Sequence, residues 1–281
     1  MTVRSPVAMP WLSAVPAVLQ LWFPGQEGGR ALANVLFGET NPSGKTPVTF
    51  AESLEDYLPQ EVASLPDGAR GFPGVDGTVH YDEGVFAGYR HFDANDVEPL
   101  FPFGHGLSYT DFEYENASVS RAATTPEDGL TVSVDVTNTG DRDGAEAVQV
   151  YVGAVDSSVE RPPKELAGFQ KVDVAAGETE TVSVDIDREA FRYWDEEADE
   201  WAVDYGEYEV SVAASSRDVH ATERIELRES VQQSAGTTTE TESETGTETE
   251  SESAGSAPGF GVVAAAAAVT ASVVGRLRGD D

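Results

Sequence analysis

The sequence predicts a mainly β chain: an antiparallel β-sandwich, preceded by the end of an α/β domain and followed by an acidic stalk and a C-terminal apolar helix. Three observations carry this. Residues 111–229 alternate apolar and polar side chains with a period of two. Residues 1–50 hold one helical stripe and one short strand, which cannot close a core of their own. From residue 230 the chain is low in complexity until a final apolar run.

The sandwich is the clearest part. Leu130–Thr137 alternates strictly and runs into the turn Asn138-Thr139-Gly140-Asp141. Ala147–Val152, Lys164–Val174, Thr181–Ile186 and Tyr208–Val212 follow as further strands, with Phe112–Val119 in front and Arg224–Leu227 behind. About seven short strands at this spacing, with turn residues between them, is the pattern of an immunoglobulin- or fibronectin-type sandwich.

Upstream, Gln26–Phe37 reads as a helix. Ala31, Leu32, Val35 and Leu36 form one stripe, expected to be buried; Gly38 ends the helix, and Asn41-Pro42-Ser43-Gly44 turns the chain. Pro47–Phe50 reads as a short strand. Glu27, at the helix start beside Trp22 and Phe23, has two readings. It is a candidate catalytic acid, or a carboxylate favoured by the helix dipole by roughly 0.3–1 kcal/mol; the second is preferred. Residues 51–110 are loop-rich, aromatic and punctuated by Gly and Pro, as in a connector.

The formal net charge is −34, from 51 acidic and 17 basic side chains. The self-repulsion of such a chain is screened in concentrated salt, and its 12 Phe, 9 Tyr and 4 Trp argue for a salt-adapted globular protein. With no basic stripe to displace counterions, nucleic acid is not an expected partner. No cysteine is present, which excludes disulfides and thiolate metal sites. His80, His91 and His105 have no helical i, i+4 spacing, so no metal site is expected, and no cofactor. Phe191, Tyr193, Trp194 and Trp201 form either a sugar-stacking platform or aromatics packed in the core or against another domain, and packing is preferred; Trp194 and Trp201 flank an acidic hairpin, Asp195–Glu200. Asn116-Ala117-Ser118 is a sequon that marks Asn116 as a possible glycosylation site.

Several longer motifs occur in one order. They include Pro6–Trp11, Ala17–Gln20, Trp22–Gly29, Leu36-Phe37-Gly38, Asn41–Lys45, Tyr81–Phe92, Leu100–Thr110 and Pro163–Val172. Together they resemble the C-terminal part of glycoside hydrolase family 3, the β-glucosidase type. The resemblance implies a fibronectin type III-like (immunoglobulin-like) β-sandwich at 111–229, the end of the family's C-terminal α/β sandwich domain at 1–50, and a connector at 51–110. For this stretch the preferred reading is a packed connector that clamps the sandwich domain to the β-module; the softer one is that Asp82, Glu83, Tyr89 or Arg90 borders a sugar pocket in an intact enzyme. The family's nucleophile and acid/base motifs are not found. Retaining hydrolysis needs two carboxyl groups about 5–5.5 Å apart, so the isolated chain is expected to be inactive. The substrate implied for the parent enzyme is a β-linked glucoside or oligosaccharide.

Residues 230–257 are a Thr/Glu/Ser stalk that cannot bury apolar area and is expected to be disordered. Pro258-Gly259-Phe260, an apolar run and Arg276-Leu277-Arg278 then make 258–281 similar to the sorting signal of halophilic archaeal surface proteins. This implies attachment to the membrane on the extracellular face. The N-terminus has no export signal and opens inside a family motif, which points to an internal start, a gene break or a sequence-assembly error. Two alternatives stand beside the scaffold reading: a non-catalytic surface sandwich that binds glycans or proteins, and one half of a split glycosidase completed by a separately encoded barrel.

Overall fold

A computed structural model describes residues 1–3, 5–53, 55–57, 78 and 83–229. The predicted stalk, sorting signal and C-terminal helix lie outside the described residues, as do Asp82, His80, Pro258, Gly259 and Phe260. No helix among the described residues is long and apolar enough to cross a membrane.

The strands are β1 (Phe112–Val119), β2 (Ala123–Thr124), β3 (Leu130–Asn138), β4 (Gly144–Ala154), β5 (Glu165–Val174), β6 (Thr179–Ile186), β7 (Arg192–Asp195), β8 (Glu200–Val203), β9 (Gly206–Ala213) and β10 (Val219–Leu227). One sheet has the order β1-β3-β6 and the other β2-β10-β9-β4-β5, while β7 and β8 form a separate hairpin. All seven expected strands are present. The short β2 and the β7–β8 pair are additional; two residues, or a strand interrupted by Asp and Glu, give no alternation long enough to see.

Alternation places the core. Leu130, Val132, Val134 and Val136 of β3 point inward and sit in register with Ile186, Val184, Val182 and Glu180 of β6. Val148, Val150 and Val152 of β4, with Val210 and Val212 of β9, face them from the other sheet and close one cluster. Tyr208 is fully buried and its hydroxyl donates to the Asp204 carbonyl at 2.6 Å, four residues upstream. This is the tyrosine corner typical of such sandwiches.

Strand β4 departs from one-sided burial. Its outward-facing Gln149 and Tyr151 are also buried, because the connector covers that side of the sheet. Gln149 donates to the carbonyls of Gly104 and Ala214. Gly104 has φ +79° and approaches so closely that a Cβ there would lie 2.2 Å from Gln149 Oε1. Only glycine meets both conditions.

The N-terminal region contains a 3₁₀ turn at Leu12–Ala14 and helix α1 (Gly28–Leu36). Two expectations are corrected. The strand at Pro47–Phe50 is reduced to a single bridge between Phe50 and Phe101, because no neighbouring strand continues the ladder. The stripe of α1 is not buried: Leu32 and Val35 are half-buried, Ala31 is exposed, and Leu36 and Phe37 are 63% and 84% exposed. No described element packs over that face. The region between holds a 3₁₀ turn at Glu55–Tyr57 and a second helix, α2 (Tyr89–Ala94).

Candidate functional site: the connector and its seam

The candidate residues of the connector lie on and just before α2. Glu83 begins the turn that precedes the helix, accepting a hydrogen bond from Phe86 N through its carbonyl at 3.0 Å. Gly88, at φ +59°, reverses the chain into the helix. Tyr89 and Arg90 then turn toward the β-module. The Tyr89 hydroxyl accepts from Leu166 N at 2.8 Å, and its ring stacks on Phe103 and meets Tyr151 edge-on. Arg90 pairs with Glu165 at 2.9 Å, and Arg161 reaches the other oxygen of Glu165 at 3.0 Å.

The centre of the seam is a residue the sequence reading did not single out. The Asp93 carboxylate is 6% exposed and lies between Arg217, at 2.8 Å, and Lys164, at 3.3 Å. Burial raises its pKa, and the two cations oppose that shift. Arg217 also donates to the carbonyls of Phe92 and Val97, so one guanidinium ties down both ends of the turn after α2. Lys164 lies over the Tyr151 ring as well, 5.8 Å from its centroid.

A second ionic contact joins the N-terminal region to the sandwich. Lys45 meets the buried Glu146 at 2.7 Å, and Tyr114 donates to the same Glu146 oxygen at 3.0 Å. Lys171 donates to Ser43. All three lysines of the chain therefore bridge residues 1–110 to the β-module. Their scarcity was the available signal: in a chain with so few cations, each one inside an ordered motif has a specific counterpart. Arg142 adds a hydrogen bond to Gly38 O at 2.9 Å beside an open cleft of about 390 Å³, lined by Leu36, Phe37 and Tyr109.

His91 and His105 serve structure. His91 Nδ1 accepts from the Asn95 amide and Nε2 donates to Asp56 O, both at 3.0 Å, which fixes the Nε2-protonated tautomer. His105 stacks on Phe101, and burial followed by the charge of Lys45 lowers its pKa, with Asp218 opposing. Among the described residues, no three His, Asp or Glu side chains are placed to hold a metal ion.

Glu27 is exposed at the N-cap of α1, and its side chain makes no capping bond. Asn116 occupies a bulge in β1 at φ +54°, and its amide donates to Asp135 on the exposed side of the sheet. Of the aromatic set, Phe191 is in the core and Tyr193 is half-buried. Trp194 and Trp201 pair across the β7–β8 hairpin and remain 47% and 53% exposed, so neither belongs to the core of the sandwich.

Comparison with known proteins places these features. Residues 1–109 match the model of the glycosyl hydrolase family 3 C-terminal domain, and residues 146–216 that of the fibronectin type III-like domain. A β-glucosidase of Rhizobium radiobacter is 48% identical over 79% of this chain and 26% of its own length. An exo-α-(1→6)-L-arabinopyranosidase of Bifidobacterium longum is 43% identical over 78% of the chain and 27% of its own. The crystal structure of DesR, a β-glucosidase from Streptomyces venezuelae in complex with D-glucose, superposes with a TM-score of 0.72 at 40% identity, covering 81% of this chain and 28% of that one. The chain thus spans about a quarter of the length of the curated relatives it matches.

Proposed function

From the homology of this chain to the C-terminal parts of glycoside hydrolase family 3 β-glucosidases, we propose that it is the structural C-terminal portion of such an enzyme. The connector and sandwich form one buttress, and the N-terminal region presents a surface to the rest of the α/β sandwich domain. The carboxyl pair that cleaves the glycoside is supplied by parts of the enzyme outside the matched region. The observation that carries this reading is the open face of α1: Leu36 and Phe37, with Phe23 at 73% exposure, belong to a segment that matches a domain whose remainder would cover them. Burying a large apolar side chain is worth roughly 1.5–3 kcal/mol, so three uncovered ones mark surface for a further part of the domain.

In the completed enzyme, the stretch before α2 with Asp82 and Glu83 is assigned to the rim of the sugar pocket and a β-linked glucoside to the pocket itself, while Tyr89 and Arg90 clamp the connector to the β-module. The relatives' names include both a β-glucosidase and an arabinopyranosidase, so the sugar is selected by residues elsewhere. Residues 230–257 are assigned as a spacer and 258–281 as the attachment to the cell surface, on the strength of their composition and the Pro258-Gly259-Phe260 motif.

The test is a chimera joining this chain to the barrel and upstream α/β region of a homologous enzyme. The purified chain alone should release no nitrophenol from an aryl β-glucoside in high salt, and the chimera should. Leu36→Asp with Phe37→Asp should abolish the chimera's activity while leaving the sandwich folded. Hydrolysis by the isolated chain, or a chimera indifferent to the double substitution, would refute the reading.

A further inference from the structure

Asn116-Ala117-Ser118 matches the acceptor pattern Asn-X-Ser/Thr with X other than proline. Asn41-Pro42-Ser43 is excluded by its proline, and Asn34, Asn95 and Asn138 have no Ser or Thr two residues on. Strand β1 lies at the edge of the sheet β1-β3-β6, and its ladder with β3 shifts between Glu115 and Ser118. Asn116 and Ala117 therefore both stand where β3 supplies Val134 alone. Ala117 takes the inward place against the core, and Asn116 is the extra residue, exposed at φ +54°.

Local conformation explains only the asparagine. A bulge residue at positive φ favours Gly, Asn or Asp, and the Asn116 amide donates to Asp135 Oδ2 at 2.9 Å. Neither fact requires a hydroxyl at 118. Ser118 is exposed, and its hydroxyl has no hydrogen-bond partner among the described residues. The surroundings leave room for a bulky group. Beside Asn116 the outer face of the sheet carries short polar side chains: Ser133 pairs with Ser183 at 3.0 Å, and Thr181 donates to Asp135 at 2.6 Å. The connector packs on the outer face of the other sheet, over Gln149 and Tyr151, so this face is turned away from it. A glycan here would also shield the open backbone edge of β1 from pairing with another strand.

We propose that Asn116 is an N-glycosylation site, loaded from a lipid-linked oligosaccharide as the chain is exported. Asn116 Nδ2 bonds to the anomeric carbon of the first sugar, and the bond from that carbon to the lipid phosphate breaks. The phosphate leaves with the electron pair, and the amide releases one proton to solvent. The substituted amide keeps its other N–H for Asp135. This rests on the cell-surface placement proposed above, because the modification belongs to exported chains.

The test places an export signal before the full chain and recovers the exported protein, from surface and medium together, from a halophilic archaeon that N-glycosylates its own surface proteins. Trypsin releases the sequon in one peptide, residues 91–121. Its mass should exceed the sequence value by that of the host glycan, with fragment ions placing the addition on Asn116. Ser118→Ala leaves Asn116 and Asp135 untouched and should return the peptide to its unmodified mass; Ser118→Thr should keep the glycan. Asn116→Gly, which suits the positive φ, should remove the glycan without unfolding the sandwich. A modified chain shed into the medium would support the site and count only against attachment through residues 258–281. An unmodified 91–121 peptide in the exported protein, or a glycan that persists in Ser118→Ala, would overturn the proposal.

Discussion

Arg217 Nε lies 2.8 Å from Asp93 Oδ1, joining helix α2 to the loop between β9 and β10 across 124 positions of sequence. Lys164 shares that carboxylate at 3.3 Å, so one nearly buried acid holds two cations from the β-module. Asp93→Ala should lower stability by about 2–3 kcal/mol, somewhat below the cost of breaking a fully buried pair because both cations keep some contact with water. A double-mutant cycle with Arg217→Ala, read by denaturant midpoints, should show coupling well above the additive value; simple additivity would show that the contact is incidental.

Asn138 is fully buried and closes the turn after β3. Its amide donates to Arg142 O and Val174 O, while its side-chain oxygen accepts from Thr110 Oγ1 and Gly140 N. Asn138→Ala strands these groups and should cost about 2–4 kcal/mol. Asn138→Asp should do no better, because a carboxylate cannot donate to the Val174 carbonyl. Thermal melts of the three proteins would decide; an unimpaired Asp variant would contradict this hydrogen-bond assignment.

His105 supplies a pH test. Its pKa is lowered in the folded chain from the ordinary 6.5. The unfolded chain therefore binds more protons than the folded one between the two values. The His105 contribution is complete above about pH 6.5 and is lost as pH falls from there through the folded pKa. Relative to His105→Gln, the unsubstituted chain should lose unfolding free energy on acidification over that interval. A constant difference between the two proteins would exclude the effect.

Salt should stabilise. Between 0.1 M and 1 M the Debye length falls from about 10 Å to about 3 Å, which screens the repulsion of a chain at net charge −34. The melting temperature should rise with KCl. It should rise by a similar increment in Lys45→Met, because the Lys45–Glu146 pair is largely shielded from solvent and contributes little to the screened field. A melting temperature that falls with salt would rule out this balance of charges.

The sandwich was legible because Leu130–Asn138 and Thr179–Ile186 each expose one face and bury the other, and a period of two survives in the sequence. The reach of the seam was not. Asp93 is one acid among 51, and its partners lie 71 and 124 positions away, a distance no local pattern encodes. The α1 stripe shows the converse. Its spacing correctly marked an apolar face and a helix, but periodicity cannot say whether the covering element is in the same chain. The exposure of the Trp194–Trp201 pair was hidden for a related reason: large aromatic rings usually pack inside, and no local pattern shows that β7 and β8 form a sheet of their own.

The placement of the lysines has a practical corollary for chemical labelling. Apart from the terminal amine, every primary amine in this protein sits where the N-terminal region and connector grip the sandwich. Acylating reagents, amine cross-linkers and resin coupling through lysine will therefore report on that junction alone. Lys45 and Lys164 should react slowly while the grip holds and quickly once it lets go, which makes their acylation rate a direct gauge of separation between the two halves.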